Sequence, residues 1–584
     1  MKQKYKNVFF WFVIYGILLF FLQIFYEYHF YYREQNQLFQ NSWFYIKDIL
    51  FQPGGLTNVL SEFFTQFFYH PFVGAGITAI LILMAGYLVY CITKIIAPKA
   101  NLMVVSLLTS IALLIIQFDY NYMSSGTIAY VIMLVTFYFT LQLNTFVKRL
   151  LSHLLFTILL FYLAGPVYML YALAASIYEI LNKSTINGFV LLALLEAVIL
   201  GLFSVSFSMF GEYRLIFLPD GYFIHTEKPE YIIYFSWIFF LGIMVIALLL
   251  RKYKVIPVNK KNKIAGGLIQ IILVVIFGWW GISKYGDYYE RSAIVKLDGF
   301  SKTEQWDKIL EYSKGRMTNP LHICYLNLAL AQKGELGDKM FFYDQRGISG
   351  LIIPNWSGNL IESTLTSDIY FAINNIAMSQ RMAFEAFTIK RNSMMLKRLI
   401  QTNIIYGEYL VAEKYIDILE STYRYRNWAK DHRKFLYNDT EVKKDPLLGI
   451  KRISLLNNNM LFQIDGFVEE MKHIIENSPS TTHTTLDYLG AFFLLAKDIE
   501  GFKEMVNTYY GTEALPSLSL SFQEAILLLS SDSPDADYIE RFNIPEKITQ
   551  KFNEYIDQTT TYKDNINMLP GHLKQTFWYY YMYK

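Results

Sequence analysis

Residues 150–181 read LLSHLLFTILLFYLAGPVYMLYALAASIYEIL, an apolar run interrupted at its centre by the pair Gly165-Pro166. As a single helix the run is about 48 Å long at about 1.5 Å per residue, well beyond the roughly 30 Å core of a bilayer. Proline lacks a backbone N–H and its ring clashes with the preceding turn, so a helix breaks there. The run therefore predicts two short membrane helices, 150–164 and 167–181. The whole topology turns on that split.

Outward from it lie further apolar stretches at 7–27, 71–96, 101–118, 124–144, 188–208, 230–250 and 264–284, which makes about nine spans in all. The first follows Lys2, Lys4 and Lys6 and leads into Glu27-Tyr28-His29-Phe30 without a small-residue cleavage site, so it reads as an uncleaved span. With nine spans and a cytoplasmic N-terminus, Lys94, Lys99, Lys148, Arg149, Lys183 and the basic loop 251–263 fall inside. Glu34, Asp48, Glu62, Asp119, Glu212, Asp220, Glu227 and Glu230 fall outside, with few cations there: Arg33, Lys47, Arg214 and Lys228. That is the positive-inside pattern. Treating 150–181 as one span would carry the basic loop to the wrong side.

The chain is 54% hydrophobic and 17% charged, but unevenly so: beyond about residue 285 charges recur every few positions and no apolar run can cross a bilayer. Two domains follow, a transmembrane domain at 1–284 with an outside loop at 28–70, and a soluble domain at 285–584. The same counting puts the second domain on the extracytoplasmic side of an inner (plasma) membrane. A net charge of +3, with the cations in membrane connectors, gives no footprint for nucleic acid. Cys91 lies in a span and Cys324 in the soluble half, which excludes a disulfide or cysteine-metal framework.

The soluble half reads as all-α. In 403–429, Asn403, Gly407, Tyr409, Ala412, Tyr415 and Leu419 precede Trp428-Ala429, with small residues where helices would approach and large ones between hairpins. A similar order runs from Trp306 through Pro320 to Gly334 and Leu336, and a third spans Tyr488–Tyr509 with Gly490, Ala491 and Phe502. These hairpins resemble the tetratricopeptide repeat, whose solenoid offers a concave face to a partner protein. The alternative is a generic helical bundle.

Candidate chemistry collects on the outside face. The loop 28–70 opens on Glu27, Arg33 and Glu34, and its segment 56–70 alternates apolar residues with Asn58, Ser61, Glu62, Thr65 and Gln66 as an interfacial helix does. Asp119 ends the third span, and the connector 209–229 adds Glu212, Tyr213, Arg214, Asp220, Tyr222 and His225. One carboxylate at the membrane edge can serve as general base to an acceptor hydroxyl, while a second orients it or binds a divalent metal ion. Arginine holds phosphate oxygens in a bidentate grip. Glu196 sits inside a span, where a charge is costly and needs a partner such as Gln23, Gln117 or Gln270. No P-loop, dinucleotide glycine pattern, zinc-protease helix motif or nucleophile elbow occurs, the histidines are scattered, and no cofactor or metal site is indicated.

This layout resembles the GT-C class of lipid-linked-sugar glycosyltransferases, with an acid just after the first span, an interfacial helix in the same loop and a second acid after the third span. The repeat-bearing tail is similar to that of protein O-mannosyltransferase relatives. The likeness is one of topology: the class's aspartate at the end of span one is replaced by Glu27 and Glu34, and its double-acid motif is absent. The layout also resembles an uncharacterised family of envelope membrane proteins. The resemblance implies Glu27, Glu34 and Asp119 as catalytic acids and Arg33, Arg214, Tyr213, Asp220 and His225 as substrate ligands. It implies a polyprenyl-linked sugar donor, and a protein or glycan acceptor held by the tail. Two other readings stand beside it: a non-catalytic envelope protein whose repeats bind partners, and a transporter or flippase built around Glu196.

Overall fold

The computed structural model describes residues 2–182, 188–209, 213–218, 231–253, 260–285, 289–354, 356–455, 466–478, 483–532, 537–563 and 565–584. Every regular element among them is helical, as the sequence predicts. The chain divides into two units, Met1–Val295 with Ser421–Arg424, and Lys296–Glu420 with Tyr425–Lys584.

The first unit contains α1 (Lys2–Phe25), α2 (Glu27–Asn36), α3 (Trp43–Leu50), α4 (Gly55–Thr65), α5 (Pro71–Ile96), α6 (Leu107–Ile116), α7 (Ser124–Leu141), α8 (Phe146–Ala164), α9 (Val167–Leu181), α10 (Leu192–Ser206), α11 (Phe235–Lys252) and α12 (Lys260–Tyr285). Among the described residues seven segments, in α1, α5, α7, α8, α10, α11 and α12, are long and apolar enough to cross a membrane, and the chain is a membrane protein. Its core centres on α7, α9 and α11, where Phe137, Tyr171, Phe240 and Ala247 are buried. By contrast only 6% of the apolar window in α1 and 11% of that in α12 is buried by protein, leaving apolar surface suited to lipid.

The two expected spans outside that set appear as shorter helices: α6 has 10 residues and α9 has 15. Turns at 103–106 and 117–118 replace helix at both ends of α6. The break at Gly165-Pro166 is present, with α8 ending at Ala164, Gly165 at φ +67° and α9 starting at Val167. Pro166 has no N–H for the carbonyl of Tyr162, one turn back. Gly54 supplies one, its N–H donating to Tyr162 O at 2.9 Å. Gly54 itself has φ +75°, and a Cβ there would lie 3.4 Å from Gly165 Cα. Two glycines thus let the turn between α3 and α4 dock backbone to backbone on the break.

In the second unit the helices are α13 (Tyr289–Lys302, entering the unit at Lys296), α14 (Trp306–Tyr312), α15 (Pro320–Gln332), α16 (Leu336–Lys339), α17 (Leu360–Ala372), α18 (Ile376–Ile389), α19 (Ser393–Tyr406), α20 (Tyr409–Glu420), α21 (Arg426–His432), α22 (Asp439–Lys444) and α23 (Leu448–Ile453). Further helices include Phe467–Asn477, His483–Ala496, Ile499–Tyr509, Leu520–Asp532 and Glu546–Thr561. Their starts are written in the sequence. Asn319, Asn359, Asn375, Asn392 and Asp498 each accept a hydrogen bond from an N–H of the following first turn, which satisfies a donor the helix cannot. Helices α17 to α20 pack in consecutive pairs. Two of the expected close-approach glycines do something else: Gly334 and Gly407, at φ +67° and +80°, end helices in the left-handed conformation that side chains disfavour. Gly490 does mark a close approach, since a Cβ there would meet the Phe522 ring at 2.1 Å.

Candidate functional site

Helix α2 places the first-loop candidates. Its Phe30 fills the space over Gly74 of α5, where a Cβ would come within 2.9 Å of the ring. That packing holds α2 at the start of α5 and buries His29, Arg33 and Glu34. From there the Arg33 guanidinium reaches the turn after α6, with Nη1 donating to Gln117 Oε1 at 2.5 Å. Its Nη2 donates to Gln117 O at 3.1 Å and to Asp119 O at 3.4 Å. Asp119 is buried, and its Oδ1 accepts from Asn121 N–H at 2.9 Å, which fixes the turn. Burial, with Arg33 beside it, pulls the His29 imidazole down to about 3, so the ring is neutral at ordinary pH and adds no second cation to this corner.

The remaining acids behave differently. The Glu34 carboxylate is ion-paired with Arg424 of the segment Ser421–Arg424, and the neighbouring Asn41 N–H donates to Ser421 O at 2.8 Å. Glu27 is half-buried at the start of α2. Beyond α2, Ser42 caps α3 and the Tyr45 hydroxyl lies 2.5 Å from Glu62 Oε2. On α4 the small and hydroxyl residues Gly55, Thr57, Ser61 and Thr65 face inward, while Trp43, Phe44 and Phe51 nearby are more than two-thirds exposed at 72%, 83% and 76%. Exposed aromatics beside such a helix are what a membrane–water boundary selects.

The structure therefore brings Arg33 to the Asp119 turn. Tyr213 is exposed at the start of a short 3-10 turn, Tyr213–Phe217. The side chain of Arg214, and all of Asp220 and His225, lie outside the described residues. Glu196 is half-buried in α10, and its Oε2 has no hydrogen-bond partner among the described residues. Two of its expected partners are engaged elsewhere, Gln117 by Arg33 and Gln270 by Asn101 O and Val105 N.

A buried ion pair of the membrane unit was not expected from the sequence. Arg149, expected as a cation of an inside connector, is buried in α8 and grips Glu179 of α9 with both arms, at 2.6 Å and 3.0 Å. His153 Nε2 lies 3.6 Å from the same carboxylate, while its Nδ1 is 3.2 Å from the Tyr171 hydroxyl, which in turn is 3.0 Å from Thr140 Oγ1. A hairpin folded at Gly165-Pro166 brings the start of α8 opposite the end of α9, so the pairing was available from the break and the two charges. Among the described residues no group of three His, Cys, Asp or Glu side chains is placed to hold a metal ion.

Residues 2–584 match a family of unknown function (DUF6057), and the chain belongs to that family. No curated protein and no solved structure matches it.

Proposed function

We propose that the protein is a membrane glycosyltransferase of GT-C type, which transfers a sugar from a polyprenyl-linked donor to an acceptor on the extracytoplasmic face. The observation that carries this reading is the clamp of Arg33 on Gln117 and Asp119, which joins the acid-bearing first loop to the acid that follows α6. In this reading Asp119 and Glu27 are the carboxylates that meet substrate. Arg33 is a positioning residue rather than a phosphate ligand, because both of its Nη groups are engaged by the turn it holds. Glu34 stabilises the loop through Arg424. Trp43, Phe44 and Phe51 anchor the loop at the lipid boundary where a polyprenyl phosphate emerges.

A nine-span topology goes with this proposal. Helix α5 is 26 residues, about 39 Å, and starts beside α2. The chain leaves its far end at Ile96 and is back beside α2 at Gln117, so 97–117 retraces the depth of the unit. Together with the positive-inside count, this supports a reading in which α2, Asp119 and residues beyond 285 lie outside. The paired helices of the second unit then form a TPR-like acceptor platform. The test is a cell in which the native protein is replaced by Asp119→Asn or Glu27→Gln, each verified for membrane insertion. Accumulation of lipid-linked saccharide in either strain supports the reading, and unchanged levels in both remove it.

A further inference from the structure

The second unit carries a cavity of about 450 Å³, lined wholly by its own residues. Four cations line it, Lys302, Lys397, Arg398 and Lys451, against two carboxylates, Glu304 and Asp368. Glu304 is exposed, and Asp368 is already shared between Lys302 and Arg398, the latter at 3.0 Å. Burial would raise the Asp368 carboxyl, but those two cations outweigh it and hold it below the usual carboxylate range. Its charge is therefore spent within the wall.

Lys451 is the informative member. It is buried, and its ammonium donates to the carbonyl of Phe371 and to Asn374 Oδ1 at 2.9 Å, both neutral acceptors. It also lies 4.3 Å from the centre of the Phe371 ring, over which Arg398 stands at 3.5 Å. Burial and the nearby Arg398 pull its pKa down to about 7. The buried Nε–H of Arg398 has no hydrogen-bond partner among the described residues. A desolvated cation held against a second cation is costly unless an anion completes the site. Lys397 adds a further charge at the wall, 4.8 Å over Trp428.

The rest of the lining decides what kind of anion fits. Trp306 and Trp428 both line it, Trp428 being stacked on His432 at 3.6 Å, which leaves Trp306 as the indole for a ring, and Gln332, Asn374 and Gln401 add amide groups. We infer that this cavity binds a sugar bearing a phosphate or carboxylate group, with the anion at Lys451 and Arg398 and the ring against tryptophan. The volume lies within the range of small-molecule sites. This inference goes beyond the glycosyltransferase reading and does not depend on it.

The experiment is calorimetric titration of the full-length protein in detergent with glucose 6-phosphate, glucuronate, glucose and inorganic phosphate. At least one of the two anionic sugars is expected to bind with a dissociation constant of about 1 mM or tighter, with glucose alone at least about tenfold weaker. Which one binds assigns the anion as phosphate or carboxylate. Lys451→Met and, as a half-exposed variant less coupled to the core, Lys397→Gln should each weaken that binding, Lys451→Met by about tenfold or more. No binding by either anionic sugar overturns the inference, as does wild-type affinity in both variants. Inorganic phosphate binding as tightly as glucose 6-phosphate overturns the saccharide part.

Discussion

Replacing Gly54 by proline should destabilise the membrane unit in a way that no single side chain in the loop would suggest. The carbonyl of Tyr162 has lost its helical donor to Pro166 and receives the Gly54 N–H at 2.9 Å instead. Proline at 54 removes that donor, and a carbonyl left unsatisfied out of reach of water costs about 1–3 kcal/mol. It also forces φ negative where the backbone sits at +75°, which adds about 1 kcal/mol or more. The sum is about 3 kcal/mol. Gly54→Ala keeps the N–H, and its Cβ meets Gly165 Cα at 3.4 Å without overlap, so only the left-handed strain of about 1 kcal/mol remains. Thermal unfolding in detergent, followed by circular dichroism, should show proline lowering the midpoint about threefold more than alanine does. Equal effects of the two substitutions, or no effect of proline, would refute the claim that the loop repairs the helix break.

Three further outcomes follow from buried charges. Glu179→Gln leaves Arg149 half-paired in a buried setting and should cost about 3–5 kcal/mol, whereas the double change Arg149→Met with Glu179→Leu should cost far less; the same melting assay distinguishes them. Glu470, in the helix Phe467–Asn477, is fully buried with neither carboxylate oxygen partnered among the described residues, and burial raises its pKa from 4.5 to about 7. The folded state therefore keeps a proton that the unfolded chain releases, so this group's stabilising share is full below 4.5, falls as pH rises to about 7 and is absent above. Glu470→Gln should raise the melting midpoint at pH 8 and leave it nearly unchanged at pH 4, which a pH series of melting curves checks.

Much of the fold was legible because its signals are local. The proline break, the apolar runs and the asparagine caps each depend on residues a few positions apart. The helix at 167–181 has the expected bounds, whereas 101–118 came out shorter because hydropathy registers apolar residues whether they are helix or turn, as at 103–106. The candidate corner was legible only in outline. The acids of α2 and Asp119 could be assigned to one face by charge counting, but nothing local announces that Arg33 would take Gln117 or that Glu34 would take Arg424. The cavity of the second unit was invisible for a related reason. Lys302, Arg398 and Lys451 come from α13, α19 and α23, and in each helix the cation looks like an ordinary solvated charge until the three converge.

Reconstitution is the sharpest test of the proposed sugar transfer at the Asp119 corner. Wild-type protein and Asp119→Asn, which should fold alike, are placed in vesicles with radiolabelled lipid-linked saccharides extracted from the native membranes, together with membrane and soluble acceptors from the same cells. Wild type is expected to move label from the organic-soluble lipid fraction into acceptor, and Asp119→Asn to slow this by at least about a hundredfold, the scale of a lost general base. Label that stays in lipid with both proteins, or that moves at the same rate with both, would contradict the proposal.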